Sequence, residues 1–176
     1  MNVFILNSGR CGSTTFIKSC QHIKNYSAAH ESLITKIGAQ RLDYPVNHIE
    51  ADNRLSWFLG RLDKTYGDTA YYVHLTRNRE DTTTSFSKRI DFGILKAYEQ
   101  GILMNEEHEA SAHDIASDYI DTIESNIRLF LRDKTNKMDV SLENIRIDYE
   151  RFWTNINASG DLKSALKEWD INYNAS

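Results

Sequence analysis

The residues best suited to chemistry stand near the start of the chain. Arg10-Cys11-Gly12-Ser13-Thr14-Thr15 follow closely on the apolar run Val3-Phe4-Ile5-Leu6. A buried strand, a tight glycine loop and a helix opening on hydroxyl residues present backbone N–H groups and a positive helix end to a negative ligand. A nucleoside triphosphatase carries G-x-x-x-x-G-K-[ST] at such a place. Here Gly9 and Gly12 enclose only two residues, no lysine follows Gly12, and the cation, Arg10, precedes it. The loop suits an anion other than ATP with magnesium.

A second stretch of the same kind follows the apolar run Ala70-Tyr71-Tyr72-Val73-His74-Leu75. Arg77 falls at the carboxyl end of that strand, and Ser85 stands eight residues later, in what reads as the next helix. A fork-shaped guanidinium and a hydroxyl brought together in this way bind a phosphate.

The elements that must position these groups alternate in type. Strands are expected at Val3–Leu6 and Ala70–Leu75, with shorter ones at Tyr26–Ala29, Val46–Glu50 and Ile145-Arg146-Ile147. Helical stripes run through Phe16, Ile17, Cys20 and Ile23, and through Leu55, Phe58, Leu59 and Leu62. A longer one joins Ile115, Tyr119, Ile123, Ile127 and Phe130 behind a capping box at Ser111-x-x-Asp114. Leu162, Ala165, Leu166 and Trp169 close the series behind Asp161. Buried strands alternating with helices favour a parallel sheet covered on both faces. Ligands of such sheets bind beyond the carboxyl ends of the strands, where the Arg10 loop would sit.

Together the two stretches resemble the sulfotransferases that use 3′-phosphoadenosine 5′-phosphosulfate (PAPS). Their first motif is a strand–loop–helix of the form G-[RK]-x-G-[ST]-[ST], matched by Gly9-Arg10-Cys11-Gly12-Ser13-Thr14. Their second is R-[ND]-x-x-[DE]-x-x-x-S, matched by Arg77 through Ser85. A third, softer feature, a late strand running into R-x-[DE]-Y-E, is met loosely by Arg146-Ile147-Asp148-Tyr149-Glu150. The resemblance implies a P-loop-like three-layer α/β sandwich, its central, mainly parallel sheet flanked by helices. It implies a 5′-phosphosulfate held by Arg10, Cys11, Gly12, Ser13, Thr14 and Thr15, and a 3′-phosphate held by Arg77 and Ser85. The product would be 3′-phosphoadenosine 5′-phosphate (PAP), the acceptor a hydroxyl or amine, and no metal would be required. The chain departs from the family in three places: it is short, Arg79 replaces a proline after Arg77-Asn78, and no basic R-K-G-x-x-G loop surrounds Gly160.

Sulfuryl transfer needs a base for the acceptor proton and a cation for the bridging oxygen. Carbohydrate and tyrosyl sulfotransferases place a glutamate after the strand corresponding to Tyr26–Ala29, which makes Glu31 the first candidate base. His30 is the second, and His48 the third, matching the histidine of the cytosolic members. Arg10 is the cation, with Arg54 as a further one. The same residues have structural uses: Glu31 as a first-turn acid of a helix spanning Glu31–Arg41, His48 and Asp52 as a cap and a surface residue, Cys11 as turn filler. His22, His30, His48, His74, His108 and His113 form no H-x-x-x-H pair of the kind that binds zinc.

Composition fits a single domain over residues 1–176. The chain has 176 residues, 40% of them hydrophobic, enough for one sizeable core. A net charge of −4 speaks against a nucleic-acid partner. Two cysteines suggest a reducing compartment, and no stretch is long and apolar enough for a membrane span, so a cytoplasmic location is expected. Two other functions share the loop logic: a kinase-like P-loop nucleotide-binding enzyme, and a non-catalytic module that binds PAP or another anion.

Overall fold

A computed structural model describes residues 1–104, 110–171 and 173; His108 lies outside them. Five parallel strands form one sheet in the order β2-β3-β1-β4-β5. They are β1 (Val3–Leu6), β2 (Ser27–His30), β3 (His48–Ala51), β4 (Tyr71–Thr76) and β5 (Lys137–Ser141). β1 is fully buried on both faces, as its unbroken apolar run requires. Val3 and Ile5 face α1 (Ser13–Cys20), α6 (Ile145–Asn155) and α7 (Leu162–Lys167), through Phe16, Tyr149, Phe152 and Ala165. Phe4 and Leu6 face the other layer: α2 (Leu59–Tyr66), α3 (Arg79–Ser87), α4 (Gly93–Gly101) and α5 (Ala112–Leu131). The result is a three-layer α/β sandwich. Because β1 lies between β3 and β4, the chain changes direction across the sheet on either side of it. The β1–α1 loop therefore opens onto a topological switch point, where parallel sheets bind ligands.

Several elements differ from expectation. Ile145-Arg146-Ile147 begins α6 instead of forming a strand. Ile145, Tyr149, Phe152 and Ile156 recur at helical spacing and pack inward, while Ile147 is 67% exposed. The softer Arg146–Glu150 match is thus helical, with the Asp148 carboxylate accepting the Ser141 N–H at 2.9 Å. The fifth strand is Lys137–Ser141, an edge strand with Met138 and Val140 inward and Lys137 and Asp139 outward. Nor does a helix span Glu31–Arg41. The buried Glu50 carboxylate takes both the N–H and the hydroxyl of Ser32 (2.7 Å each), and Gly38 is left-handed at φ 57°. Turns run from Ser32 to Thr35, followed by a short 3₁₀ helix at Gly38–Leu42. The stripe from Leu55 to Leu62 is broken at Phe58 into a 3₁₀ turn (Asn53–Trp57) and α2.

The buried His74 on β4 gives the fold a pH dependence. Its ring nitrogens lie 3.7 Å from Glu124 and Asp139. Burial, helped by Arg128 and opposed by Asp139, pushes its pKa down to about 4. The folded state keeps His74 neutral while the unfolded chain protonates near 6.5, so stability falls as pH drops from about 6.5 towards 4. Between pH 7 and pH 5 the loss from this group is about 2 kcal/mol. Urea unfolding of His74→Gln at the two pH values should show that increment gone; an unchanged pH slope would contradict it.

Candidate active site

The loop after β1 is built around two glycines and a strained arginine. Gly9, Arg10 and Gly12 all have positive φ (102°, 60° and 86°). A Cβ on Gly9 would lie 2.9 Å from both Asn53 and Phe86, and one on Gly12 would lie 2.9 Å from Leu142, so neither position admits a side chain without displacement. Asn7 holds the turn by accepting the Gly9 N–H at 2.9 Å. Gly12 then serves as N-cap of α1, its carbonyl receiving the Phe16 N–H at 2.9 Å. Among the described residues no side chain caps this end, and no acid stands in the first turn. The positive end of α1 is left to whatever occupies the cleft.

Arg10 reaches across to the second motif. Its Nε donates to the Ser85 hydroxyl on α3 at 2.8 Å, and Arg77 donates to the Arg10 carbonyl at 3.4 Å. Two stretches separated by about seventy residues of chain thus meet at one place. Burial first, then repulsion from Arg89 and Arg77, lowers the pKa of Arg10. Such crowding of cations is eased by an anion. Arg79, in the place of the family's proline, anchors α3 to α5 through Asp121 (2.6 and 2.9 Å). Asn78 caps α3 by accepting the Asp81 N–H.

The candidate bases divide in space. His30, the last residue of β2, and Glu31, the first beyond it, line the same cleft as Arg10 and Arg77. His30 Nε2 is 3.0 Å from the Ser13 hydroxyl, and Glu31 pairs with Arg54 at 3.0 Å. Glu31 also has φ 52°, a conformation an L-residue adopts at a cost, and one found preferentially at functional sites. His48 stands elsewhere. It lies at the amino end of β3, buried against Tyr44, and is held by Ser27 (2.8 Å) and Glu50 (2.9 Å). Because β3 extends from His48 to Ala51, the first residue after His48 to line the cleft is Asn53, five positions on. Asp52 is the expected cap, accepting the Arg54 N–H at 2.9 Å ahead of the Asn53–Trp57 turn, and it is fully buried and paired with Arg41.

The cleft itself has a volume of about 500 Å³. Thr14 and Thr15 line it with Ser13, whereas the Cys11 side chain is buried beneath. Burial pushes the Cys11 thiol up to about 12, far from a reactive thiolate. Asn53, Phe86, Leu142, Trp169, Asp170 and Ile171 complete the walls. The last three are a wall that the sequence does not announce, since Trp169 reads as part of a core stripe. Among the described residues no three His, Cys, Asp or Glu side chains gather to hold a metal, and no helix is long and apolar enough to cross a membrane.

This architecture is the sulfotransferase fold. The structure is similar to the sulfotransferase domain from the curacin biosynthetic pathway, with a TM-score of 0.66 and 14% identity over 97% of this chain and 78% of that one. It is also similar to mouse sulfotransferase SULT7A1 complexed with PAP, with a TM-score of 0.52 and 12% identity over 96% of this chain and 63% of the other. The sequence matches no protein-family model and no curated protein.

Proposed function

We propose that this protein transfers a sulfuryl group from PAPS to a hydroxyl or amine acceptor. One observation carries the reading: the uncapped start of α1 and Arg77 line one cleft, and Arg10 ties that cleft to Ser85 by a hydrogen bond. A ligand with two separated phosphates would use both. PAPS supplies an activated sulfuryl group, whose bond to the bridging oxygen breaks as the bond to the acceptor forms, leaving PAP.

The chain's own groups divide the remaining work. The amides at the start of α1, with Ser13 and Thr14, hold the 5′ end. Arg10 meets the charge that grows on the bridging oxygen. Arg77 and Ser85 hold the 3′-phosphate and so fix the nucleotide in line. Glu31 accepts the acceptor proton, its carboxylate aimed by Arg54. His30, 3.0 Å from the Ser13 hydroxyl, is the second candidate for that base. Cys11 contributes a backbone N–H and turn packing, and the buried His48 acts only through the β2–β3 framework.

Thermal unfolding with PAP, AMP and ATP-magnesium tests the reading. PAP should raise stability by about 2.7 kcal/mol at a hundredfold excess over Kd, with AMP far behind. Equal shifts with PAP and AMP would remove the two-phosphate site. A selective shift with ATP-magnesium would favour a kinase-like enzyme.

A further inference from the structure

A second cavity, of about 160 Å³, is lined by residues of β4, β5 and the end of α5, none of which lines the active-site cleft. With a water's share of the liquid near 30 Å³, it has room for roughly five waters or one small organic molecule. Its most buried polar group is His74, whose side chain is 4% exposed. Among the described residues the buried His74 Nε2 has no hydrogen-bond partner; the Glu124 carboxylate, at 3.7 Å, is too far. A buried polar atom left in this state is costly, and a missing ligand is one explanation for it.

The charges around His74 favour an anion. Arg128 and Arg132, four residues apart, fall on one side of the end of α5. Each guanidinium has five N–H donors and gives one to a neighbouring acid, Arg128 to Glu124 at 2.7 Å and Arg132 to Asp133 at 3.4 Å. Arg128 and His74 Nε2 face the same Glu124 oxygen, so one acceptor in that corner can meet both. A helix carboxyl end repels anions, but Lys137 bonds the Leu131 and Arg132 carbonyls at 2.6 and 2.8 Å and offsets that field. Asp139, the acid of the lining, is 91% exposed at the rim. Burial, opposed by Arg128, raises the pKa of Glu124, so the inner acid is the more readily neutral of the two.

We propose that this cavity binds a small organic carboxylate, its acid head held by Arg128, Arg132 and the His74 ring and its carbon body resting on Leu131 and Met138. Leu131 and Met138 are buried apolar walls, which an inorganic anion would leave unused. His74 is neutral and carries a single ring proton, which binding requires on Nε2.

Nitrogen NMR of the imidazole rings, with butyrate as the probe and sulfate and chloride at equal ionic strength as controls, decides the matter. The His74 signals are those absent from His74→Gln. Butyrate should shift them saturably and fix the proton on Nε2. Arg132→Gln, at a side chain 70% exposed, should fold normally, weaken butyrate about 10-fold and leave PAP titration as in wild type. Failure of butyrate to give a saturable shift overturns the proposal. So does an equal shift with sulfate or chloride, which means an adventitious ion only, or full butyrate affinity in both Arg132→Gln and Arg128→Gln. The PAP titration reads the cleft alone, so the sulfotransferase reading stands or falls apart from this site.

Discussion

Glu31→Gln is expected to bind PAP as wild type does, yet to transfer sulfuryl groups about 10²–10⁴-fold more slowly. Glutamine keeps the length of the side chain and an oxygen for Arg54 to meet, so the 3.0 Å contact has a replacement and the walls of the cleft keep their shape. What disappears is the capacity to accept a proton. The left-handed backbone at Glu31 is unchanged by the substitution, so stability should shift little. The measurement is single-turnover transfer from labelled PAPS, beside a PAP titration of the same variant. Full turnover in Glu31→Gln, combined with its loss in His30→Ala, would move the base one residue back along the chain.

Arg10→Ala should damage binding and rate together. Removing the guanidinium takes away the bond to Ser85 and the charge proposed to meet the bridging oxygen. The first loss acts on the ground state, the second more strongly on the transition state. Loss of one such preorganised donor typically lowers the rate by about 10²–10³-fold. Loss of a charge-assisted contact adds roughly 1.5–3 kcal/mol in affinity. Ser85→Ala keeps every charge and should weaken PAP by less. If Arg10→Ala altered affinity alone, with kcat intact, the arginine would be a binding residue without a part in the chemical step.

The sheet core and the tight Gly9–Gly12 loop were legible because local chemistry dictates them. Val3–Leu6 is too apolar for anything but a doubly buried strand, and glycines flanking Arg10 admit few backbones besides a tight turn. The convergence of Arg77 and Ser85 on that loop was legible through motif order. Residues whose fate depends on tertiary partners were not. Ile145-Arg146-Ile147 has the β-branched content of a strand, yet Tyr149 and Phe152 further along draw it into a helix against Phe16. Glu31–Arg41 lost its helix to Glu50, a buried acid on the neighbouring strand that captures Ser32. His48 looked like acceptor-site material because its segment is polar, and that polarity is consumed inside the fold by Ser27 and Glu50. The C-terminal wall, Trp169 to Ile171, carries no motif, and its place beside Gly12 follows only from the packing of α7 on α1.

The most direct test is the crystal structure of the PAP complex. The account predicts the 5′-phosphate at the amides of Gly12, Ser13 and Thr14, and the 3′-phosphate between Arg77 and Ser85, with Glu31 and His30 facing the 5′ end. A nucleotide whose 3′-phosphate points into solvent, or whose phosphates occupy the two places in reverse, would contradict it.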